Sequence, residues 1–224
     1  MPKTEKHSHD IGCVIFDVDG TLVDNLELIV RSFNYAVEDL VSRSFSQKEV
    51  YARFGPTLEQ MIEEIVSERN VDDAVQRYHA HYRKHFHQYA RVYPGIPSLI
   101  SGLRNICMNV GIYTGSDARM TKTTLDESGL RAAFSVIVTA DDVREPKPDP
   151  EGLIKAMFML QAKPEHTLYL GDAVRDVEAS KRAGAISAAA LWGFGDEKKL
   201  RAVHPNYAFS DAAEVLDQLS DRPR

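Results

Sequence analysis

The chain has 224 residues, of which 43% are hydrophobic and 27% are charged, and its formal net charge is −6 at pH 7. These values are typical of a globular protein with one large domain, or with a domain that carries an insert. The acidic balance and the lack of a long basic run argue against nucleic acid as a partner, because phosphate neutralisation needs clustered Lys and Arg. No apolar run of about 18 residues and no signal-peptide pattern is present, which predicts a cytoplasmic protein that does not contact a membrane.

The two cysteines, Cys13 and Cys107, lie in apolar stretches of the sequence. Two cysteines in a chain of this length do not make a disulfide framework. Both are therefore predicted to be reduced thiols that pack in the core.

The first predicted element is a short buried strand at 11–16, where an apolar run contains several β-branched residues. Residues 1–10 before it are polar. Although this tail carries two histidines, we predict that it is frayed and does not bind a metal.

The segment from residue 25 to residue 93 has apolar residues mostly three or four positions apart, which predicts helices. Asp24 is the predicted cap of the first helix, a long helix is predicted at 71–89, and Tyr93-Pro94-Gly95 ends the segment. A crossover between parallel strands needs only one helix. Residues 25–93 are therefore predicted to form a small helical domain inserted into the chain.

Strand and helix patterns alternate after this segment. The predicted strands are 109–114, 136–139, 167–171, 186–191 and a short edge strand at 207–209. The predicted helices are 97–107, 118–128, 174–183 and 211–219, with one more that Pro150 opens after Asp149 as its cap. Such alternation predicts an α/β fold with a mostly parallel sheet, built from residues 1–24 and 94–224.

Two carboxylates, Asp17 and Asp19, stand directly after the first predicted strand and are followed by Gly20 and Thr21. Ligands bind at the carboxyl ends of strands in α/β sheets, and a bound cation can neutralise two neighbouring acids there. Gly20 lets the chain turn sharply after the pair. Ordinary turns and Ca²⁺ loops also contain acids beside glycine, but a Ca²⁺ loop needs further acids and flanking helices, and apolar residues interrupt that pattern here.

Further polar residues follow the later strands. Thr114-Gly115-Ser116 offers a hydroxyl and a flexible backbone suited to phosphate oxygens, and an ordinary turn or helix cap fits it equally well. Lys147 lies between two prolines that stiffen its backbone, although a lone lysine in a loop is usually a surface residue. Asp172 follows the strand at 167–171 and is either a helix N-cap or, with Asp176 one turn later, part of a site.

In this order the stretches resemble the four motifs of the haloacid dehalogenase-like (HAD) superfamily. Asp17-Val18-Asp19-Gly20-Thr21 resembles motif I, Thr114 motif II, Lys147 motif III and residues 171–176 motif IV. The resemblance covers nearly the whole chain, and the insert lies between motifs I and II, as in the C1-capped subfamilies. It implies a Rossmann-like parallel sheet with a mobile helical cap at 25–93.

Three shorter stretches are most similar to those of phosphoglycolate phosphatases: residues 54–56, 193–195 and 207–209. The resemblance implies a phosphatase in which Asp17 is the nucleophile and forms an aspartyl-phosphate. Asp19 would protonate the leaving alcohol and then activate water. Three groups would hold the phosphate: Thr114, the Gly115 amide and Lys147.

The resemblance also implies a Mg²⁺ cofactor. The ion would bind Asp17, Asp172 and the main-chain carbonyl of Asp19, and Asp176 would order a metal-bound water or Lys147. Oxygen ligands of this kind suit Mg²⁺. The predicted partner is a small phosphorylated metabolite, and the predicted assembly is a monomer or a homodimer.

Single residues distinguish the other functions that occur within the superfamily. Dehalogenases lack the acid that stands here at Asp19. Phosphonatases carry a cap lysine, and neither Lys48 nor Lys84 lies in a matching motif; sugar-phosphate mutases carry an arginine soon after the glycine that is here Gly55, and none follows. A sugar-phosphate phosphatase or mutase and a nucleotidase stay open as alternatives.

Two alternatives without turnover also stay open. Receiver domains use a similar set of residues as a phospho-switch, but in about 100–150 residues and without a cap. The other is a catalytically dead HAD scaffold, although no motif residue is missing.

Arg31 or Arg53 could meet a substrate carboxylate, and the histidines at 79–87 are predicted to form a polar cap face in preference to a metal site.

Overall fold

The structure is a computed structural model that describes residues 11–220. The polar tail predicted at 1–10 lies outside the described residues. The strands of the described part are β1 (Cys13–Phe16), β2 (Val23–Asp24), β3 (Arg91–Val92), β4 (Asn109–Tyr113), β5 (Val136–Val138), β6 (Thr167–Gly171), β7 (Ile186–Ala190) and β8 (Tyr207–Phe209). The α-helices are α1 (Leu26–Val41), α2 (Gln47–Tyr51), α3 (Leu58–Glu63), α4 (Val71–Tyr89), α5 (Ile96–Asn105), α6 (Ala118–Glu127), α7 (Glu151–Met159), α8 (Val174–Arg182), α9 (Glu197–Ala202) and α10 (Ala212–Ser220).

Within residues 11–220, six parallel strands form the main sheet in the order β5-β4-β1-β6-β7-β8. Every residue of β1 is buried, as expected for a central strand covered on both faces. β1 pairs with β4 and β6, and Phe16 is in register with Ile112 and Leu170. The carboxyl ends of these three strands therefore lie side by side. The predicted α/β fold with a parallel sheet is confirmed.

A short antiparallel ribbon, which the sequence analysis missed, joins the two ends of the helical insert. β2 pairs with β3, with Val23 opposite Val92, and the Asp24 carboxylate lies 3.0 Å from the Arg91 guanidinium. The prediction that Asp24 caps the first helix is wrong, because the cap position belongs to Asn25. Asp24 is instead the last residue of β2, where it lies opposite Arg91 of β3.

The helices between β2 and β3 pack mainly on one another through apolar faces. α1 buries Leu28, Ile29, Phe33 and Val37 along one side, the spacing expected of an amphipathic helix packed against a neighbour. α4 packs on α1 and also contacts α6. The Tyr82 hydroxyl of α4 lies 2.9 Å from Thr124 Oγ1 on α6. The helical segment is therefore tied both to the ribbon and to α6.

Two further sequence predictions need correction. Pro150 was predicted as the first residue of a helix but lies just before α7, and Asp149 Oδ1 accepts a hydrogen bond from the Glu151 N–H at 2.9 Å. Both cysteines are free thiols, but only Cys13 is buried; Cys107 is exposed, because the chain has already left α5 and turns there with φ of 58°.

None of the helices in residues 11–220 is long and apolar enough to span a membrane.

Candidate active site

The carboxyl ends of the central strands form the floor of a cavity of about 90 Å³. Asp17 follows β1 and still donates its backbone N–H to the Leu170 carbonyl at 2.9 Å, and Thr114 follows β4 and donates to the Val138 carbonyl at 3.0 Å. These ladder bonds fix both backbones at the sheet edge. Of the residues predicted from the motifs, all but Asp176 line the cavity: Asp17, Asp19, Thr114, Gly115, Lys147 and Asp172.

A tight turn at Gly20 brings Asp172 to the same point. Gly20 has φ of 79°, and a Cβ there would lie only 2.2 Å from Asp172 Oδ2, so a side chain is excluded both by conformation and by space. Thr21 Oγ1 donates to Asp172 Oδ1 at 3.4 Å, and the Phe194 N–H donates to Oδ2 at 2.7 Å. The Asp172 carboxylate is therefore held from two sides. Trp192 supports this arrangement, because its Nε1–H donates to the Thr21 carbonyl at 3.0 Å.

Three buried carboxylates converge at this edge. Asp17, Asp172 and Asp176 each have a ligand oxygen within 4.8 Å of the others. Burial, reinforced by Asp17 and Asp176, raises the pKa of Asp172 to about 8. Burial also raises the pKa of Asp17 to about 6, although the Lys147 ammonium opposes this rise. Both carboxyl groups therefore resist ionisation unless further positive charge is supplied at the site.

Lys147 is buried and bridges two of these acids. Its Nζ lies 3.0 Å from Asp17 Oδ1 and 2.8 Å from Asp176 Oδ1. Burial alone would lower the pKa of Lys147, but the two carboxylates hold it above its ordinary value, so the side chain stays charged. Asp176 is fixed in turn by the Ala173 N–H at 2.9 Å and by the Tyr169 hydroxyl at 3.3 Å. Lys147 is therefore a preorganised cation and not a surface residue.

Asp19 lies apart from the carboxylate cluster and has its own partners. Asn25 Nδ2 donates to Oδ1 and Ser116 Oγ donates to Oδ2. Asn25 also donates to the Tyr82 hydroxyl at 2.7 Å, which connects Asp19 to α4. Burial raises the pKa of Asp19 despite the hydrogen bonds from Ser116 and Asn25. Both partners lie beside motif residues, but no local pattern in the sequence indicates that they meet Asp19.

The donor set fits a hard divalent cation. Each converging group is a carboxylate, and the Lys147 ammonium contacts two of them, Asp17 and Asp176. Oxygen-only ligands with room for water are typical of Mg²⁺ and not of zinc, which favours nitrogen and sulfur. Asp17 and Asp172 could hold such an ion, and Asp176 could hold it or the lysine.

The turn after β4 leaves room for a ligand. Thr114 is buried, and its Oγ1 accepts the Ser116 N–H at 3.2 Å, so the hydroxyl proton is free to be donated elsewhere. Gly115 is exposed, and a Cβ placed on it would meet nothing within 4 Å. A phosphate-binding role for this turn stays a prediction.

Neither arginine suggested for a substrate carboxylate lines the cavity. Arg31 pairs with Glu27 at 2.8 Å and lies over the Tyr89 ring, and Arg53 donates from Nη1 to the Glu49 carbonyl at 2.8 Å. Instead Arg175, which the sequence analysis did not single out, lines the cavity beside Gly55.

The histidines of α4 point in different directions. His79 is buried, with Nε2 3.6 Å from Asp117 Oδ2, whereas His87 is exposed and contacts Glu127. His81 lies 3.0 Å from the Ser32 hydroxyl. Among the residues that the structure describes, the carboxylate cluster is the only group of three potential ligands that could hold a metal.

Comparison with known proteins extends this description. A family model described as haloacid dehalogenase-like hydrolase matches residues 14–190. A pyrophosphatase PpaX from Oceanobacillus iheyensis is 30% identical over 211 residues, which cover 94% of this chain and 98% of that protein. A pyrophosphatase PpaX from Bacillus thuringiensis (strain Al Hakam) is 31% identical over 214 residues, which cover 96% and 99%.

Solved structures share the fold. A predicted phosphoglycolate phosphatase from Haemophilus somnus 129pt superposes with a TM-score of 0.83 at 21% identity, covering 93% of this chain and 97% of that chain. A haloacid dehalogenase-like family hydrolase from Streptococcus pneumoniae superposes with a TM-score of 0.76 at 27% identity, covering 93% and 98%.

The parallel sheet with an acidic cluster at its carboxyl edge defines an α/β fold whose candidate catalytic site lies where such sheets bind ligands. The chain belongs to the haloacid dehalogenase-like hydrolases, and it is a phosphatase of that family. The family and the enzyme class predicted from the motifs are confirmed.

Proposed function

We propose that the chain is a Mg²⁺-dependent phosphatase that hydrolyses a small phosphorylated metabolite through an aspartyl-phosphate on Asp17. The observation that carries the proposal is the trio of buried carboxylates with Lys147 at the carboxyl ends of β1 and β6, beside the cavity. Phosphoryl transfer requires a positioned nucleophile and charge stabilisation of the transferring oxygens, and this arrangement offers both.

The first step is attack by an Asp17 carboxylate oxygen on phosphorus. A bond forms between that oxygen and phosphorus, and the bond from phosphorus to the ester oxygen breaks. Lys147, fixed 3.0 Å from Asp17, orients the nucleophile and stabilises charge on the phosphoryl oxygens. Thr114 and Gly115 would hold those oxygens from the β4 side.

Asp19 moves the protons in both steps. Its raised pKa favours the protonated form, which can give a proton to the departing ester oxygen. In the second step a water attacks phosphorus, Asp19 accepts a proton from that water, and the bond between phosphorus and Asp17 breaks. Inorganic phosphate and free Asp17 result.

Mg²⁺, when bound, would add positive charge at the phosphoryl oxygens and offset the excess of carboxylates. We expect turnover of p-nitrophenyl phosphate with Mg²⁺, its loss with EDTA and its return when Mg²⁺ is added back.

Asp172→Ala should weaken Mg²⁺ binding measured by isothermal titration calorimetry and abolish activity or raise its Mg²⁺ requirement. Asp126→Ala, at an exposed acid on α6, is the matched control. An Asp172→Ala protein with unchanged activity and Mg²⁺ titration would remove Asp172 from the metal site.

Lys147→Ala should lower kcat for p-nitrophenyl phosphate by about 10²-fold or more, the scale of losing one preorganised charge partner. The reason is its double contact with Asp17 and Asp176. Lys155→Ala, at a partly exposed lysine paired with Asp142, should keep wild-type kcat. Circular dichroism of both variants separates lost charge from lost folding, and a near-normal kcat in folded Lys147→Ala would show that the lysine is dispensable.

The helical segment 25–93 is proposed to be a cap that sets substrate choice. Phe54 lines the cavity, whereas its neighbour Arg53 does not. Phe54→Leu should therefore reorder kcat/KM across a panel of phosphorylated metabolites, and Arg53→Gln should not. A parallel decline for every substrate in Phe54→Leu would instead make the loop purely structural.

The panel begins with phosphoglycolate, because three short stretches of the sequence, 54–56, 193–195 and 207–209, resemble phosphoglycolate phosphatases. Pyrophosphate is the second candidate, since relatives 30–31% identical to the chain are named pyrophosphatases. Sugar phosphates and nucleoside monophosphates complete the panel. A cytoplasmic location and a monomeric or homodimeric state remain part of this proposal.

A further inference from the structure

The cavity has two chemically different walls. The wall formed by the strand ends is polar and carries Asp17, Thr114 and Lys147. Every lining residue from the helical segment is apolar, aromatic, glycine or proline, and none bears a charge. The larger side chains of this wall are Ile29, Phe33, Tyr51, Phe54, Leu58, Met61 and Tyr78.

The polar atoms of the apolar wall's side chains are the hydroxyls of Tyr51 and Tyr78. Phe33 and Met61 are buried hydrocarbon or thioether side chains. The hydroxyl of Tyr78 donates to Met120 Sδ at 3.6 Å, so its polar end is already turned to another lining residue. A ligand group facing this wall therefore meets carbon, sulfur and ring faces, with the Tyr51 hydroxyl as the remaining polar group of the wall.

The ionisable groups on the cavity side nearest α6 are carboxylic acids. Asp19 and Asp117 both line the cavity, and Asp117 Oδ1 already accepts the Met120 N–H at 2.7 Å as the cap of α6. Lys147 is engaged by Asp17 and Asp176. Among the described lining residues the remaining cation is Arg175, which lies beside Gly55 of the helical segment. A second anionic group on the substrate would face carboxyl groups and apolar surface unless it reached Arg175.

We infer that the preferred substrate is a phosphate monoester whose leaving alcohol is uncharged and largely apolar. The phosphate occupies the polar wall and the alcohol packs against the helical segment. This inference rests on the proposed phosphatase function and specifies its substrate class. It disfavours phosphoglycolate and pyrophosphate, because each has a second anion that would lose water against the apolar wall, where no lining residue of the helical segment bears a charge.

The test compares kcat/KM for ethyl, butyl and hexyl phosphate with phosphoglycolate and pyrophosphate, using wild-type protein and Mg²⁺. The three alkyl esters have closely similar leaving groups, so differences among them report contact with the apolar wall. We expect an increase of about fourfold per added methylene until the wall is covered. Phosphoglycolate and pyrophosphate should fall about tenfold or more below butyl phosphate.

Leu58→Lys places a cation on the apolar wall at a partly exposed position, so folding should survive. It should reduce the butyl-to-ethyl ratio and raise phosphoglycolate relative to butyl phosphate. Ala52→Lys adds the same charge at an exposed residue outside the cavity and should leave both ratios unchanged.

Two results would overturn the inference while leaving the phosphatase intact. One is higher kcat/KM for phosphoglycolate or pyrophosphate than for butyl phosphate in wild type, together with loss of that preference in Arg175→Gln. The other is no rise from ethyl to hexyl phosphate. If no ester is hydrolysed, p-nitrophenyl phosphate included, the proposed function falls and the inference falls with it.

Discussion

Asp17→Asn should abolish turnover, with kcat for p-nitrophenyl phosphate reduced by about 10⁴-fold or more, the scale of removing a covalent nucleophile. An amide oxygen is a much weaker nucleophile than a carboxylate, and it forms no stable phosphoryl adduct. The substitution changes one atom of a side chain whose backbone is fixed by the hydrogen bond from its N–H to Leu170. The loss would therefore report chemistry and not displacement.

We expect the Asp17→Asn protein to remain folded. The amide oxygen can still accept from Lys147, and Asp176 remains an ion partner of that lysine at 2.8 Å. Removal of one of three clustered carboxylates also relieves repulsion between like charges. Thermal melts should thus lie close to wild type. Asp73→Asn, at an exposed acid in the first turn of α4, serves as the control for handling and for surface charge.

Intact-protein mass spectrometry adds a readout independent of rate. After quenching at low pH, wild type should carry little phosphate if hydrolysis of the adduct is fast, and Asp17→Asn should carry none. Full activity in a folded Asp17→Asn protein would reject Asp17 as the nucleophile. The same result would leave the ion pair with Lys147 as a structural feature only.

The sequence predicts most elements of the fold because their signals are local. The long helix predicted at 71–89 is observed at those bounds, since its apolar periodicity is continuous and Ala90 leaves the helical conformation. The strand at 167–171 is likewise observed at its predicted bounds. In both cases the periodicity and the breakers lie within the element itself.

The missed features depend on contacts between distant residues. The ribbon of β2 and β3 consists of strands of two residues each, too short for any alternation to be visible. The exposure of Cys107 is decided by where α5 ends, and an apolar neighbourhood in sequence does not reveal it. Local composition therefore identified elements but not their junctions.

In the site too, some features could be predicted from local sequence and others depend on contacts between distant residues. The order of the motifs predicted the residues of the site. Parallel strands with aligned ends explain why Asp17, Thr114 and Asp172 share a sheet edge. What holds each side chain was not predictable. Ser116 reaches Asp19 across 97 positions, and the Phe194 N–H reaches Asp172 from a turn whose glycines permit close packing.

Asp19→Asn should separate a phosphatase from a phospho-switch. With an alkoxide leaving group, proton donation contributes typically about 10²–10⁴-fold, so hydrolysis of butyl phosphate should decline on that scale. A substrate with a good leaving group, such as p-nitrophenyl phosphate, needs less protonation. It should still phosphorylate Asp17, but water attack on the adduct then lacks its base.

The hydrogen-bond partners of residue 19 are compatible with an asparagine side chain at that position. In wild type, Asn25 and Ser116 both donate to the Asp19 carboxylate. An asparagine keeps one oxygen acceptor, and its NH₂ group can donate to the Ser116 hydroxyl, which rotates to accept. Asn25 keeps its contact with the Tyr82 hydroxyl at 2.7 Å. The variant should therefore fold, and its defect should lie in proton transfer.

The decisive measurement is the phosphate content of each protein after incubation with p-nitrophenyl phosphate and Mg²⁺ and quenching at low pH. Asp19→Asn should show one added phosphate by mass spectrometry and a burst of nitrophenol followed by slow turnover. Wild type should show steady turnover and little adduct. A long-lived adduct on wild type without turnover would favour the switch, because a receiver-like site holds its phosphate. Equal butyl phosphate activity in Asp19→Asn and wild type would remove Asp19 from both proton transfers.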